Sequence, residues 1–346
     1  MEVPTIFLSR ILAEAAKRGA ADLHLTVGSL PQLRVDNQLL PLAEEEIVTT
    51  ELLNKIITSI LADEERQYLE KERGVILVKN LAGNFRFRLN LFYQKDLPSI
   101  SFHYIPMIIK TPADLKLPEV LNDFFKLNSG LLVIAGPYGA GKTTTAASLI
   151  EEINKNYKKN IVTIEQPIEY LFINKKSVII QREVGRDVKN HLQALEYCLN
   201  EDIDLVYLGE IRDDQTFVAM MSQVLELAAG NSLVILEVNA DSAIKTLEKI
   251  LAAAEKHLPA EAARYNLVDV LLAVIVQKLI PHRGGGLVLA CEILLNNSAV
   301  KSLIREGRIY QLESVLQTSR KEGMISMAKS LETLIQTGEV RQEDAT

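Results

Sequence analysis

Apolar residues at Ile6, Leu8, Ile11, Leu12 and Ala15 recur at helical spacing and stop at Gly19, so the chain opens on an amphipathic helix. The period then drops to two. Leu23-His24-Leu25-Thr26-Val27 and Gln32-Leu33-Arg34-Val35 alternate as strands, and Asp36-Asn37 turns the chain into another short strand over 39–42. Helical patterns return over 49–61 and 63–71, and strand-like runs follow at 75–79, 85–92 and 99–105. This order predicts an α+β unit over 1–110. Prolines bracket the segment from Thr111-Pro112 to Leu117-Pro118, which reads as a linker over 111–118.

From 119 onward the pattern changes. Leu131-Leu132-Val133-Ile134-Ala135 is a continuous apolar run, followed by a glycine-rich turn and a helical stretch over 144–153. Further apolar runs at 161–164, 178–181, 205–208 and 233–238 are separated by helical segments. Such alternation predicts an α/β domain with a mostly parallel sheet covered by helices, over 119–346. After Ser242 the pattern turns helical, interrupted by one hairpin around Gly284-Gly285-Gly286. Leu267, Val270, Leu271 and Val274 lie at helical spacing and read as a helix facing the core. The apolar run 267–280 includes Asp269, Gln277 and Lys278 and is too short and too polar to span a bilayer.

Composition narrows the class. At roughly 150 residues per domain, 346 residues suggest about two domains. With 48% hydrophobic residues there is ample material for a core. Lys and Arg total 38 against 45 acids, a net charge of −7, which argues against nucleic acid as a partner because phosphate-backbone binding leaves a basic footprint. Cys198 and Cys291 lie far apart and form no zinc or disulfide framework; they read as inert buried thiols in a reducing cytoplasm. The five histidines are scattered and read as structural or surface residues. Met1-Glu2-Val3-Pro4 lacks the basic and apolar regions of a signal peptide, so the expectation is a cytoplasmic protein without direct membrane insertion. Lys155-Asn156-Tyr157-Lys158-Lys159-Asn160 reads as a solvated cationic cap on the preceding helix.

Chemistry enters at Gly136-Pro137-Tyr138-Gly139-Ala140-Gly141-Lys142-Thr143, a complete G-x-x-x-x-G-K-[ST] between a buried strand and a helix. Its glycines let backbone N–H groups converge on phosphate oxygens at the positive end of the helix dipole. Lys142 is expected to reach the β- and γ-phosphates, and Thr143 to ligate Mg²⁺. The candidate ATP contacts are these eight residues and Thr144. Kinases, GTPases, helicases and motor ATPases share such a loop. No guanine-reading N/T-K-x-D is present, which lowers GTP. Asp204-Leu205-Val206-Tyr207-Leu208-Gly209-Glu210 places an acid at a strand end, where ligands gather in open α/β sheets. Gly209 stands where this element usually has aspartate, so Glu210 is the candidate to orient or deprotonate the attacking water. Ile164-Glu165-Gln166-Pro167-Ile168-Glu169 is a third acidic strand end, with Glu165 the second catalytic candidate.

Glu165-Gln166-Pro167-Ile168-Glu169, Gln181-Arg182-Glu183-Val184 with Arg186-Asp187, Leu208-Gly209-Glu210-Ile211-Arg212-Asp213 and Ser242-Ala243 resemble the secretion-superfamily motor ATPases, in their PilT-like pilus-retraction branch. Ala21-Asp22-Leu23-His24-Leu25, Leu33-Arg34-Val35-Asp36 and Phe85-Arg86-Phe87-Arg88-Leu89-Asn90 are similar to that family's PAS-like domain, and 299–306 to its helical A-I-R-x-L-I-R-E segment. The resemblance runs from about residue 6 to 338. It implies a PAS-like α+β domain followed by a RecA-like P-loop ATPase domain with a helical C-terminal subdomain. It also implies ATP and Mg²⁺, a homohexameric ring with sites between protomers, and a partner in the inner-membrane platform protein at the pilus base. The location implied is the inner face of the cytoplasmic membrane. Arg86 and Arg88 match inter-subunit arginines that approach nucleotide from the N-terminal domain; alternate strand residues facing solvent are the plain alternative.

Some positions depart from the family pattern. Gln166 replaces the aspartate of E-D-P-I-E. The box G-T-L-H-T-x-S-A aligns with Leu236-Glu237-Val238-Asn239-Ala240-Asp241-Ser242-Ala243, so its histidine has become Asn239, a candidate γ-phosphate sensor that cannot titrate. E-T-G-H aligns with Ala229-Gly230-Asn231-Ser232, A-L-R-x-x-L-R loses two arginines at 194–200, and His103 replaces an arginine. Binding should survive these losses better than turnover. The resulting expectation is a hexameric ATPase powering pilus retraction. The alternative is a weakly hydrolysing nucleotide-binding paralogue that regulates or co-assembles with an active pilus ATPase.

Overall fold

The computed structural model describes residues 4–83 and 85–345; Met1-Glu2-Val3, part of the stretch read above for a leader, lies outside them. The chain divides into two units, Met1–Ile108 with Gly284–Gly286, and Ile109–Arg283 with Leu287–Thr346.

In the first unit, α1 (Pro4–Lys17), α2 (Thr50–Ile60) and α3 (Asp63–Glu72) accompany a six-stranded sheet. Its strands are β1 (Asp22–Thr26), β2 (Gln32–Val35), β3 (Gln38–Pro41), β4 (Gly74–Leu81), β5 (Phe85–Gln94) and β6 (Leu97–Ile105), in the order β3-β2-β1-β6-β5-β4, each pair antiparallel. Side chains alternate across a pleated strand, so Phe87, Leu89 and Leu91 of β5 are buried while Arg86 and Arg88 take the opposite face. The buried face packs on Ile11, Leu12, Leu53 and Ile56, and Phe87 meets Phe102 edge-on at 6.3 Å. Thr49 starts α2 by accepting the Leu52 N–H at 3.1 Å, satisfying one of the first-turn donors a helix leaves open.

The second unit contains β7 (Gly130–Ala135), α4 (Lys142–Asn156), β8 (Asn160–Glu165), β9 (Val178–Glu183), α5 (His191–Asn200), β10 (Leu205–Leu208), α6 (Asp214–Ala229), β11 (Leu233–Val238), α7 (Ala243–Ala254), α8 (Ala260–Val270), β12 (Leu271–Pro281) and β13 (Leu287–Leu295). Three helices follow: α9 (Ser298–Arg305), α10 (Leu312–Thr318) and α11 (Met327–Gln336). The sheet order is β13-β12-β7-β11-β10-β8-β9, parallel except for β13. Every residue of β7, β10 and β11 is buried because both faces are covered, which is why these strands are continuous apolar runs rather than alternating ones. Leu131 and Val133 face one core with α5 to α8, and Leu132 and Ile134 face the other with Ala146, Leu149 and Ile150 of α4.

Two expectations are corrected. The helical stripe ends at Val270: Leu271 begins β12, so Val274 is buried in a strand between β7 and β13. A run buried on every side loses the polar phase that separates helix from strand, and its β-branched residues suit the sheet. Lys159 is not a solvated cap. It is buried, its Nζ donates to the Leu127 carbonyl at 2.7 Å, and burial lowers its pKa.

Candidate functional site

The strand–turn–helix expected at 136–143 forms from β7, the loop and α4. Gly136 has φ +155°, and a Cβ there would lie 2.7 Å from the Gln277 carbonyl oxygen and 2.8 Å from the Ala140 Cβ. Only glycine fits that close approach. Gly139 and Gly141 take left-handed φ values of 77° and 83°, and Gly141 caps α4. The loop therefore delivers the amino end of α4, with Lys142 and Thr143 as its first residues, to one point. That is the physical requirement for a phosphate cradle.

Lys142 is buried, and its Nζ donates to the Gly136 and Pro137 carbonyls at 3.0 and 3.1 Å. Glu210, just past β10, reaches to 3.9 Å from the same ammonium. Thr144 Oγ1 lies 3.1 Å from the Tyr170 hydroxyl, which joins α4 to the segment after β8. Tyr138, at the loop crown, is 64% exposed. The Gly136 N–H donates to Val238 at 3.3 Å, so β11 ends against the loop and Asn239, exposed, follows at once. The structure thus brings the loop, Glu210 and Asn239 to neighbouring strand ends. Arg86 and Arg88 belong to the other unit, where Arg86 donates to Asn80 at 3.3 Å.

Glu165 ends β8 and is buried; its Oε1 accepts from Thr163 at 2.6 Å and from Gln181 at 3.4 Å. Burial pushes its carboxyl up to about 8, outweighing those two hydrogen bonds. At neutral pH Glu165 holds its proton.

One site residue was missed by sequence reasoning. Glu237, on β11, is 1% exposed; its Oε1 accepts from the Tyr207 hydroxyl at 2.6 Å, and its Oε2 accepts from Thr143 Oγ1 at 3.3 Å. Burial raises its pKa to about 7, opposed by the Tyr207 hydrogen bond and by the charge of Lys142. The available signal was a lone acid inside an otherwise apolar run, in a strand that must be buried on both faces. Tyr207, which anchors it, is itself pushed far up by burial and by Glu237.

The site fits a triphosphate with Mg²⁺: a glycine cradle with no room for a side chain, a lysine beside it, and hard oxygen donors around Thr143. Cys198 and Cys291 are buried, and burial raises both thiols to about 11, so neither is a nucleophile at neutral pH. Among the described residues no helix is long and apolar enough to cross a membrane.

Comparison with known proteins adds an independent line. Residues 108–344 match the family model "Type II/IV secretion system protein". The chain is 34% identical over 345 residues to the type IV pilus retraction ATPase PilT of Pseudomonas aeruginosa, covering 98% of this chain and 96% of that one. It is 29% identical to the type IV pilus ATPase PilU of the same organism, covering 97% and 87%. A crystal structure of the pilus retraction motor PilT with bound ADP superposes with a TM-score of 0.80 at 35% identity, covering 98% of this chain and 95% of that chain.

Proposed function

Because the chain belongs to the type II/IV secretion system protein family, among its PilT-like ATPases, we propose that it is a motor ATPase coupling ATP hydrolysis to type IV pilus retraction. One observation carries this reading: a complete phosphate loop on β7 and α4, with Glu210 3.9 Å from its lysine, in a chain matching PilT over nearly its whole length. We assign the working form as a homohexamer at the cytoplasmic face of the membrane, engaging an inner-membrane platform protein, with Arg86 and Arg88 supplied across the protomer boundary.

The residues divide the chemistry as follows. Lys142 exchanges its two carbonyl contacts for β- and γ-phosphate oxygens, and the loop N–H groups hold the remaining phosphate charge. Thr143 would hold Mg²⁺, which would supply charge neutralisation for the phosphoryl oxygens when bound. Glu210 orients water and takes its proton as the new O–P bond forms and the bond to ADP breaks. Glu165, protonated at neutral pH, serves as a positioning carboxyl, not as the base. Asn239 donates to the γ-phosphate.

Steady-state ATPase measurement beside Lys142→Ala tests the proposal: the wild-type protein turns over ATP and the variant does not. Turnover no higher than the variant's would remove the motor reading. R86Q/R88Q should lower turnover while leaving nucleotide affinity intact. The second reading, a nucleotide-binding subunit with little turnover of its own that works with an active pilus ATPase, is favoured by Asn239 standing where the related box has histidine. Addition of such an ATPase would then raise the measured rate above that of the ATPase alone.

A further inference from the structure

A buried carboxylate is costly unless something positive faces it. Glu237 sits on β11, with Oε1 engaged by Tyr207 and Oε2 turned to Thr143 at 3.3 Å. Among the described residues the cation that acts on it is Lys142, which itself contacts the loop carbonyls and Glu210. A triphosphate draws Lys142 towards its own oxygens. Glu237 would then lie beside several phosphate charges with less to offset it, and a further cation between them would offset that charge.

The strand geometry supplies the rest. β10 and β11 pair in register up to Leu208 and Leu236; β10 ends there and Gly209 follows it, whereas β11 runs on through Glu237 to Val238. In phosphate-loop enzymes the dication is held by the loop hydroxyl and by an acid at a neighbouring strand end. Here the residue that follows β10 is Gly209, and the adjacent β11 carries a carboxylate already hydrogen-bonded to the loop hydroxyl. Mg²⁺ favours oxygen donors and keeps several of its waters, so a carboxylate so close to Thr143 Oγ1 lies within reach of the ion or of a coordinated water.

We propose that Glu237 is a metal-positioning residue of the nucleotide site: its carboxylate, anchored by Tyr207, completes the oxygen environment of the dication beside Thr143, directly or through a coordinated water. The consequence is that nucleotide binding becomes tightly coupled to the metal, because without it Glu237 repels the phosphates. This rests on the ATP-site reading above.

The test is binding, not turnover. Affinity for a fluorescent ADP is measured by anisotropy across a Mg²⁺ titration and in excess EDTA, for the wild-type protein and for E237Q, which keeps shape and removes charge. The wild-type protein should bind far better with Mg²⁺ than in EDTA. E237Q should raise the Mg²⁺ needed for half-maximal binding by about tenfold or more, while affinity in EDTA improves. E237T removes the charge as E237Q does and replaces it should E237Q not fold; E237D, which keeps the charge but withdraws it by one methylene, should raise the Mg²⁺ requirement without improving affinity in EDTA. Equal Mg²⁺ dependence in wild-type and folded variants would overturn the role of Glu237. Absence of binding by the wild-type protein itself, with metal present, would instead overturn the ATP site.

Discussion

The two units place polar side chains differently. Among the described residues, Ser99 is the one buried polar residue of the first unit, whereas the second buries Lys142, Glu165, Glu237, Gln277 and others, several at strand ends. The six-stranded sheet follows alternation: apolar inward, arginine outward. The seven-stranded sheet is covered on both faces, so a polar residue on it has no solvent side to turn to and must be hydrogen-bonded or charged against a partner. Glu165 has Thr163 and Gln181, and Glu237 has Tyr207 and Thr143. Among the described residues the buried charged side chains all fall in this second unit, and Lys142, Glu165 and Glu237 among them gather about the phosphate loop and the neighbouring strands.

The largest effect expected from this contrast is at Glu210. Glu210→Gln should lower kcat on the order of 10³-fold with the protein still folded, because it removes a proton acceptor and the long ion pair to Lys142 but no packing; a loss under tenfold would show that another group serves as base. Core truncations sharpen the contrast from the other side. Leu132→Ala in the second sheet and Leu89→Ala in the first, both essentially fully buried, should each cost about 2–5 kcal/mol by denaturant titration. These are losses of packing, common to both units.

A pH effect should separate them further. In the folded protein Glu165 titrates at about 8 against an ordinary value of 4.5, so between those values the folded state holds a proton that the unfolded chain has released. Its contribution to stability is therefore fully present below about pH 4.5 and declines as pH rises through about 8. Glu237, at about 7, acts in the same direction. Thermal midpoints of the nucleotide-free protein should fall across this window, and Glu165→Gln should flatten the slope; an unchanged slope would mean that Glu165 ionises normally. The smallest effect belongs to the first sheet's outer face, where R86Q/R88Q should shift stability by about 0.5 kcal/mol or less, read by the same titration.

Much of this architecture was legible beforehand, for reasons that differ by element. β1 and β5 announced themselves by alternation, since one face is buried and the other is not. β7, β10 and β11 announced themselves as unbroken apolar runs between turn signals. β12 misled for the same reason: within a fully buried run Leu267, Val270, Leu271 and Val274 match a helical stripe, and only pairing with β7 and β13 makes the latter part a strand. In the site, the glycine-lysine loop could be read because backbone geometry demands those residue types at fixed spacing. Glu165 could be named but not its proton, which depends on how deeply the end of β8 is covered.

By itself the sequence determined the phosphate loop and the order of most elements outside β12, because periodicity and short-range backbone constraints act between residues close along the chain, and its motifs carried the resemblance to the family. The tertiary structure decided that Glu237 on β11 meets Thr143 at the start of α4, that Lys142 faces Glu210, and that Glu165 stays protonated. Those outcomes depend on which strands lie side by side and on how much water is excluded between them, quantities set by contacts between residues distant in sequence.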